Sequence, residues 1–129
     1  MDTDPGRDPA EQSPGRARRI LVVDTDSACV ALLEQWLTDA GFEVLHDPDV
    51  GVSLDLAIVD VPQPRSGATQ AFRRIAQRHP GTPILAVSSA FFPGIEHCTA
   101  APRILGVAGV LAKPMSREAL LNQLRRLLG

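Results

Sequence analysis

A chain of 129 residues is long enough to bury one hydrophobic core but not two. Its hydrophobic content of 44% and charged content of 22% match ordinary globular usage. A formal net charge of −2 supplies no basic surplus for a nucleic-acid partner, and two cysteines are too few to staple a small secreted fold.

Residues 1–18 hold three prolines, two glycines, mixed charges and almost nothing to bury, which predicts a disordered N-terminal tail. No hydrophobic stretch of signal-peptide type opens the chain, and no apolar run is long enough to span a bilayer. The expectation is a cytoplasmic protein without membrane contact.

From Ile20 the texture changes. Ile20-Leu21-Val22-Val23 is a short apolar run that reads as a buried parallel strand, and it ends in Asp24-Thr25-Asp26. Cys29, Leu32, Leu33, Trp36, Leu37 and Ala40 then recur at helical spacing, with Ser27 as the expected N-cap and Gly41 as the stop. Cys29 reads as a small buried hydrophobe of that helix. Phe42 to Leu45 is a second strand, and Leu54 to Val59 a third that ends at Asp60.

About nine residues separate those two strands, fewer than the ~10–12 that a crossover with its helix usually needs. The helix expected there is shortened or missing. Ala68 to His79 is the next helix, with Ala71, Phe72, Ile75 and Ala76 on one face and Pro80-Gly81 closing it. Pro83 to Val87 forms a fourth strand running into Ser88-Ser89. Between Ala90 and Leu105, Pro93, Gly94 and Pro102 allow only short or broken helix. Gly106 to Ala112 holds a fifth strand, ending at Lys113-Pro114, and Ser116 opens a terminal helix with Leu120, Leu121, Leu124, Leu127 and Leu128 on its stripe. Strands alternating with helices predict an α/β fold, a doubly wound five-stranded parallel sheet.

Ligands of such sheets bind outside the carboxyl ends of the strands. Those ends carry Asp24, Asp60, Ser88 and Lys113, while the strand interiors are almost wholly apolar. Two carboxylates brought together repel unless a cation lies between them, and oxygen ligands of this kind suit Mg²⁺. A lysine and a hydroxyl nearby would stabilise phosphoryl oxygens. The residues therefore point to phosphoryl transfer onto a carboxylate.

Ile20-Leu-Val-Val-Asp24, Asp55-Leu-Ala-Ile-Val-Asp60, Pro83-Ile-Leu-Ala-Val-Ser88-Ser89-Ala90 and Gly109-Val-Leu-Ala-Lys113-Pro114, in that order, resemble the receiver domain of two-component response regulators. The resemblance covers residues 19–129 and implies a flavodoxin-like receiver fold. It implies that Asp60 is the phosphoacceptor and that Asp24 belongs to the acidic pocket together with Thr25 and Asp26. Ser88 takes the position of the switch hydroxyl and Lys113 that of the lysine pairing with the acceptor and its phosphate. Asp24, Asp60 and the main-chain carbonyl of Pro62 would hold the metal, and Pro64 also fits the pattern. The implied partners are a histidine kinase or phosphotransfer protein as donor and a downstream protein as target.

The chain departs from the family at several points. Thr25 stands where a second consecutive acid is usual, which weakens Mg²⁺ binding. Val110 stands where an aromatic is common, three before Lys113. Gly67 lies seven residues past the acceptor rather than about eight. These departures suit a second reading, a pseudo-receiver that binds partners without being phosphorylated. A third reading is an enzyme: Val22-Val23-Asp24-Thr25-Asp26 also resembles the motif of haloacid-dehalogenase-like phosphatases, with Asp24 as nucleophile and Asp26 as acid/base, but Asp60 is then unexplained. His46 and His79 read as surface residues, and His97-Cys98 lacks metal-ligand spacing.

Overall fold

The computed structural model describes residues 17–24, 26–46, 52–61 and 68–129. Five strands, β1 (Arg19–Val23), β2 (Glu43–Leu45), β3 (Leu56–Asp60), β4 (Ile84–Ser88) and β5 (Gly109–Ala112), form one sheet in the order β2-β1-β3-β4-β5. Every pairing is parallel. The helices are α1 (Ser27–Asp39), α2 (Ala68–Arg78), α3 (Ala100–Leu105) and α4 (Arg117–Leu128), with a 3-10 turn at Ile95–His97. This is the expected doubly wound, flavodoxin-like arrangement.

Parallel strands buried on both faces need apolar residues throughout, and alternation then divides them between two cores. Ile20, Val22, Leu56, Ile58, Leu85, Val87 and Leu111 face α1 and α4, meeting Leu33, Leu37, Leu120 and Leu124. Leu21, Ala57, Val59, Ile84, Ala86 and Val110 face the other way, against Phe72 and Ile75 of α2 and against Phe91 and Ile95. Phe91 is thus a core residue, whereas its neighbour Phe92 is exposed. The α1 stripe is narrower than its spacing suggests, because Leu32 and Ala40 lie on the exposed side.

Helix termini follow local chemistry. Asp26, not Ser27, is the N-cap of α1: its Oδ1 accepts from the amides of Ala28 at 3.0 Å and Cys29 at 3.4 Å. Ser116 caps α4 as expected, accepting from Ala119 N–H at 3.0 Å. Gly106 ends α3 in the left-handed conformation (φ 73°), which moves the start of β5 on to Gly109.

The connection from β2 to β3 carries no helix among its described residues, 46 and 52–55. Leu54 is buried in the cluster with Phe72 and Ile75, and Asp55 Oδ2 accepts from the Arg19 amide at 2.7 Å. His79, expected on the surface, is buried, with Nδ1 3.1 Å from the Val52 carbonyl oxygen. That carbonyl belongs to the connection between β2 and β3, so the imidazole ties it to the end of α2. Residues 1–16 of the expected tail lie outside the described residues, as do Thr25, Pro62, Pro64 and Gly67.

Candidate functional site

The order β2-β1-β3-β4-β5 reverses direction between β1 and β3, and the crevice at their carboxyl ends is where open α/β sheets bind ligands. Register brings the strand ends level: Val23 pairs with Val59, Asp60 with Val87, and Ser88 with Ala112. Asp24 and Asp60 therefore leave neighbouring strands at the same height, and Lys113 follows β5 two strands away.

The lysine spans that distance. Its ammonium donates to Asp60 Oδ1 at 3.0 Å and to Asp24 Oδ2 at 3.0 Å. The backbone amide of Lys113 donates to the Ser88 carbonyl at 2.9 Å, which fixes where its stem begins. The Lys113–Pro114 peptide bond is cis. The side chains are 2% exposed for Asp24, 10% for Asp60 and 17% for Lys113, so Asp60 is the carboxylate that solvent can still reach.

Electrostatics follow from this geometry. Burial pushes the Asp24 carboxyl up, but the Asp26 amide, the Lys113 ammonium and the Cys29 thiol donate to it and hold it below its ordinary value. Burial pulls Lys113 down, yet its bonds to Asp60 and Asp24 outweigh that and raise it above the usual lysine value. Lys113 is thus fully charged at neutral pH. Cys29 is pushed up by burial and by the Asp24 carboxylate, so it stays a protonated thiol. Sequence reasoning treated Cys29 as plain core and missed its place beside Asp24. The signal was available: Cys29 lies one helical turn after Asp26, on the face that looks back to the end of β1.

Ser88 is fully buried at the end of β4, and its Oγ accepts from the Ala90 amide at 3.0 Å. Asp26 is not in the pocket. Its carboxylate is engaged by the first amides of α1 and exposed, while only its backbone amide reaches inward, donating to Asp24 Oδ1 at 2.9 Å. The physical reason is local: at the residue before a helix, a carboxylate finds unpaired amides closer than any pocket. The phosphatase reading fails on the same facts. Asp26, the acid/base of that reading, is exposed and its carboxylate is engaged by the Ala28 and Cys29 amides at the cap of α1.

No protein-family model matches the chain. The uncharacterized transcriptional regulatory protein YrkP of Bacillus subtilis is 35% identical over 123 residues, covering 85% of this chain and 51% of the relative. The chain spans about half the length of the curated relatives it matches. The chemotaxis response regulator CheY4 of Vibrio cholerae aligns with a TM-score of 0.68 at 25% identity, over 88% of this chain and 100% of that one. The chain is a response-regulator receiver domain. A further receiver, that of the sensor histidine kinase PA1611 from Pseudomonas aeruginosa, aligns with a TM-score of 0.69 at 24% identity, over 88% and 99% of the two chains. Its structure was determined with a magnesium ion coordinated in the active-site cleft.

This receiver's donor set fits such an ion only sparsely. No three His, Cys, Asp or Glu side chains are placed to hold a metal ion together among the described residues. Two carboxylates do, and Mg²⁺ commonly takes one or two of them while keeping several waters. No helix of the described residues is long and apolar enough to cross a membrane.

Proposed function

We propose that this receiver accepts a phosphoryl group on Asp60 from a histidine kinase or phosphotransfer protein and signals through contacts with a downstream protein. The observation that carries this reading is the Asp60 carboxylate, reachable at a strand end and held by the Lys113 ammonium at 3.0 Å. A carboxylate oxygen attacks phosphorus in line, the phosphorus–nitrogen bond of the donor imidazole breaks, and the imidazole nitrogen leaves with the bonding pair and takes up a proton. An acyl phosphate on Asp60 results. Lys113 keeps its charge throughout and neutralises the new phosphoryl oxygens without having to be recruited from solvent. Ser88, buried on the adjoining strand, supplies a hydroxyl that turns from the Ala90 amide toward a phosphoryl oxygen. Asp24, Asp60 and the Pro62 carbonyl are the groups that would hold Mg²⁺, which when bound offsets charge on the transferring group.

The domain of this reading is residues 19–129, preceded by a tail of residues 1–18, in a cytoplasmic signalling chain that is not an enzyme and binds neither membrane nor nucleic acid. The last point rests on the acidic net charge of this sequence. One observation favours the pseudo-receiver alternative: Asp26 is turned to the helix cap, which leaves the pocket only two acids among the described residues.

A phosphate-affinity gel with acetyl phosphate as donor separates the two. The wild type is expected to show a retarded band that Asp60→Ala lacks. If no Asp60-dependent band forms at any Mg²⁺ concentration, the chain is a pseudo-receiver.

A further inference from the structure

Between β1 and α2 lies a cavity of about 510 Å³ that phosphoryl transfer at Asp60 does not use. Its volume falls in the range of small-molecule pockets, ~300–1,000 Å³. Leu21 and Val23, on the same side of β1, form its floor, and Ala71 and Ile75 of α2 form a wall. Val23 is 40% exposed although β1 has a neighbour on either side, so the floor presents apolar surface to solvent. The polar groups at the border divide into engaged and free. Asp24 is held by Lys113 and the Asp26 amide, His46 Nε2 lies 3.6 Å from Glu34, and Arg78 has a partner. Arg74 pairs with no acid among the described residues. Ala71, Arg74, Ile75 and Arg78 follow helical spacing, which puts Arg74 on the cavity side of α2, whereas Arg73 borders a different recess. His79, 4% exposed, also borders the cavity. Its Nδ1 meets the Val52 carbonyl oxygen and therefore carries the proton, which leaves Nε2 as an acceptor without a partner among the described residues.

We propose that this cavity binds a small amphipathic carboxylate, with its charged end on the Arg74 guanidinium and its apolar body over Leu21, Val23 and Ile75. Charge complementarity selects the anion: the one unpaired ion at the border is a cation, in a chain whose net charge is −2. The open apolar floor selects the body, because covering it removes Val23 from water. His79 Nε2, buried beside that floor, takes a hydrogen bond from a hydroxyl of the occupant or from a water it traps. The proposal stands apart from the reading of Asp60 as an acceptor and holds for a pseudo-receiver as well.

The test is an NMR titration of the 129-residue protein with decanoate, against decyltrimethylammonium as an amphiphile of the same chain and opposite charge. Decanoate is expected to shift the amides of Leu21, Val23, Ala71 and Ile75 and the His79 ring nitrogens along one saturating curve. The cationic amphiphile should bind at least ~10-fold more weakly. Arg74→Glu should weaken decanoate by at least ~10-fold, and Arg73→Glu should bind it as the wild type does. Both arginines are exposed, so neither change should compromise folding. Absence of saturation, equal binding of the two amphiphiles, or shifts centred on another face would overturn the proposal. So would an Arg74→Glu protein that binds like the wild type, or equal losses in the two arginine variants, which would mark a general charge effect of the helix. Shifts of the same amides on raising protein concentration without amphiphile would assign the face to a second copy of the chain and overturn the small-molecule reading.

Discussion

Replacing Asp26 by alanine separates a helix cap from a pocket acid. In the structure Asp26 Oδ1 accepts from Ala28 N–H at 3.0 Å and, less well, from Cys29 N–H at 3.4 Å. Losing an N-cap side chain to alanine typically costs ~1 kcal/mol, and losing a negative charge at a helix N-terminus adds ~0.3–1 kcal/mol at an exposed site. The second bond is long, so a total of about 1–1.5 kcal/mol is expected, equivalent to a fall in Tm of roughly 3–6 °C for a domain of this size. Urea denaturation followed by fluorescence of Trp36, the single tryptophan, measures it. Asp26→Asn keeps an accepting oxygen and should recover most of the loss. Neither variant should change Asp60 phosphorylation at saturating Mg²⁺ by more than about twofold, since only the backbone amide of Asp26 touches Asp24. The reasoning fails if both variants remain folded yet lose phosphorylation, because Asp26 would then belong to the pocket. It fails equally if Asp26→Ala is as stable as the wild type.

Two further predictions concern stability. Leu37 is fully buried where α1 packs on the sheet, so Leu37→Ala should lower unfolding free energy by about 2–5 kcal/mol, seen as a lower urea midpoint at unchanged slope. Asp24 has a folded-state pKa below its unfolded one, so its contribution is present above the unfolded value near pH ~4 and disappears as pH falls through the lower folded value. The groups facing it are Lys113, Cys29 and the Asp26 amide, with Asp60 held by the same ammonium. Chemical denaturation in metal-free buffer between pH 6 and roughly pH 2.5 should therefore show the wild type losing more stability than Asp24→Asn. Parallel curves for the two proteins would contradict the assignment.

The sheet was legible because its strands are short, apolar and bounded by polar punctuation. Each of the five stretches became a strand, with ends displaced by at most three residues. The largest displacement, at β5, has a definite cause: Gly106 adopts the left-handed cap of a short helix that composition alone could only describe as broken. Of the candidate site, Asp24, Asp60 and Lys113 come together as their strand-end positions implied. What remained illegible depended on competition between nearby partners. Asp26 and Ser27 are equally good cap formers, and only the path of the chain after Asp24 decides which one receives the helix amides. His79 looked solvated because nothing local shows that the β2–β3 connection will pass over it and offer the Val52 carbonyl. Cys29 looked like core because its relation to Asp24 crosses from a helix to a strand end.

The placement of the β2–β3 connection shows why the central geometry is independent of it. The described residues of the segment from β2 to β3 are fastened by burial of Leu54, by Asp55 on the Arg19 amide and by the Val52–His79 contact. None of these touches Asp24, Asp60, Ser88 or Lys113. Those four are set by the register of β1, β3, β4 and β5, whose backbone ladders are covered on the opposite face by α1 and α4. The frame therefore tolerates sequence drift in the β2–β3 connection, while Lys113 bridges Asp24 and Asp60 at 3.0 Å from the end of β5.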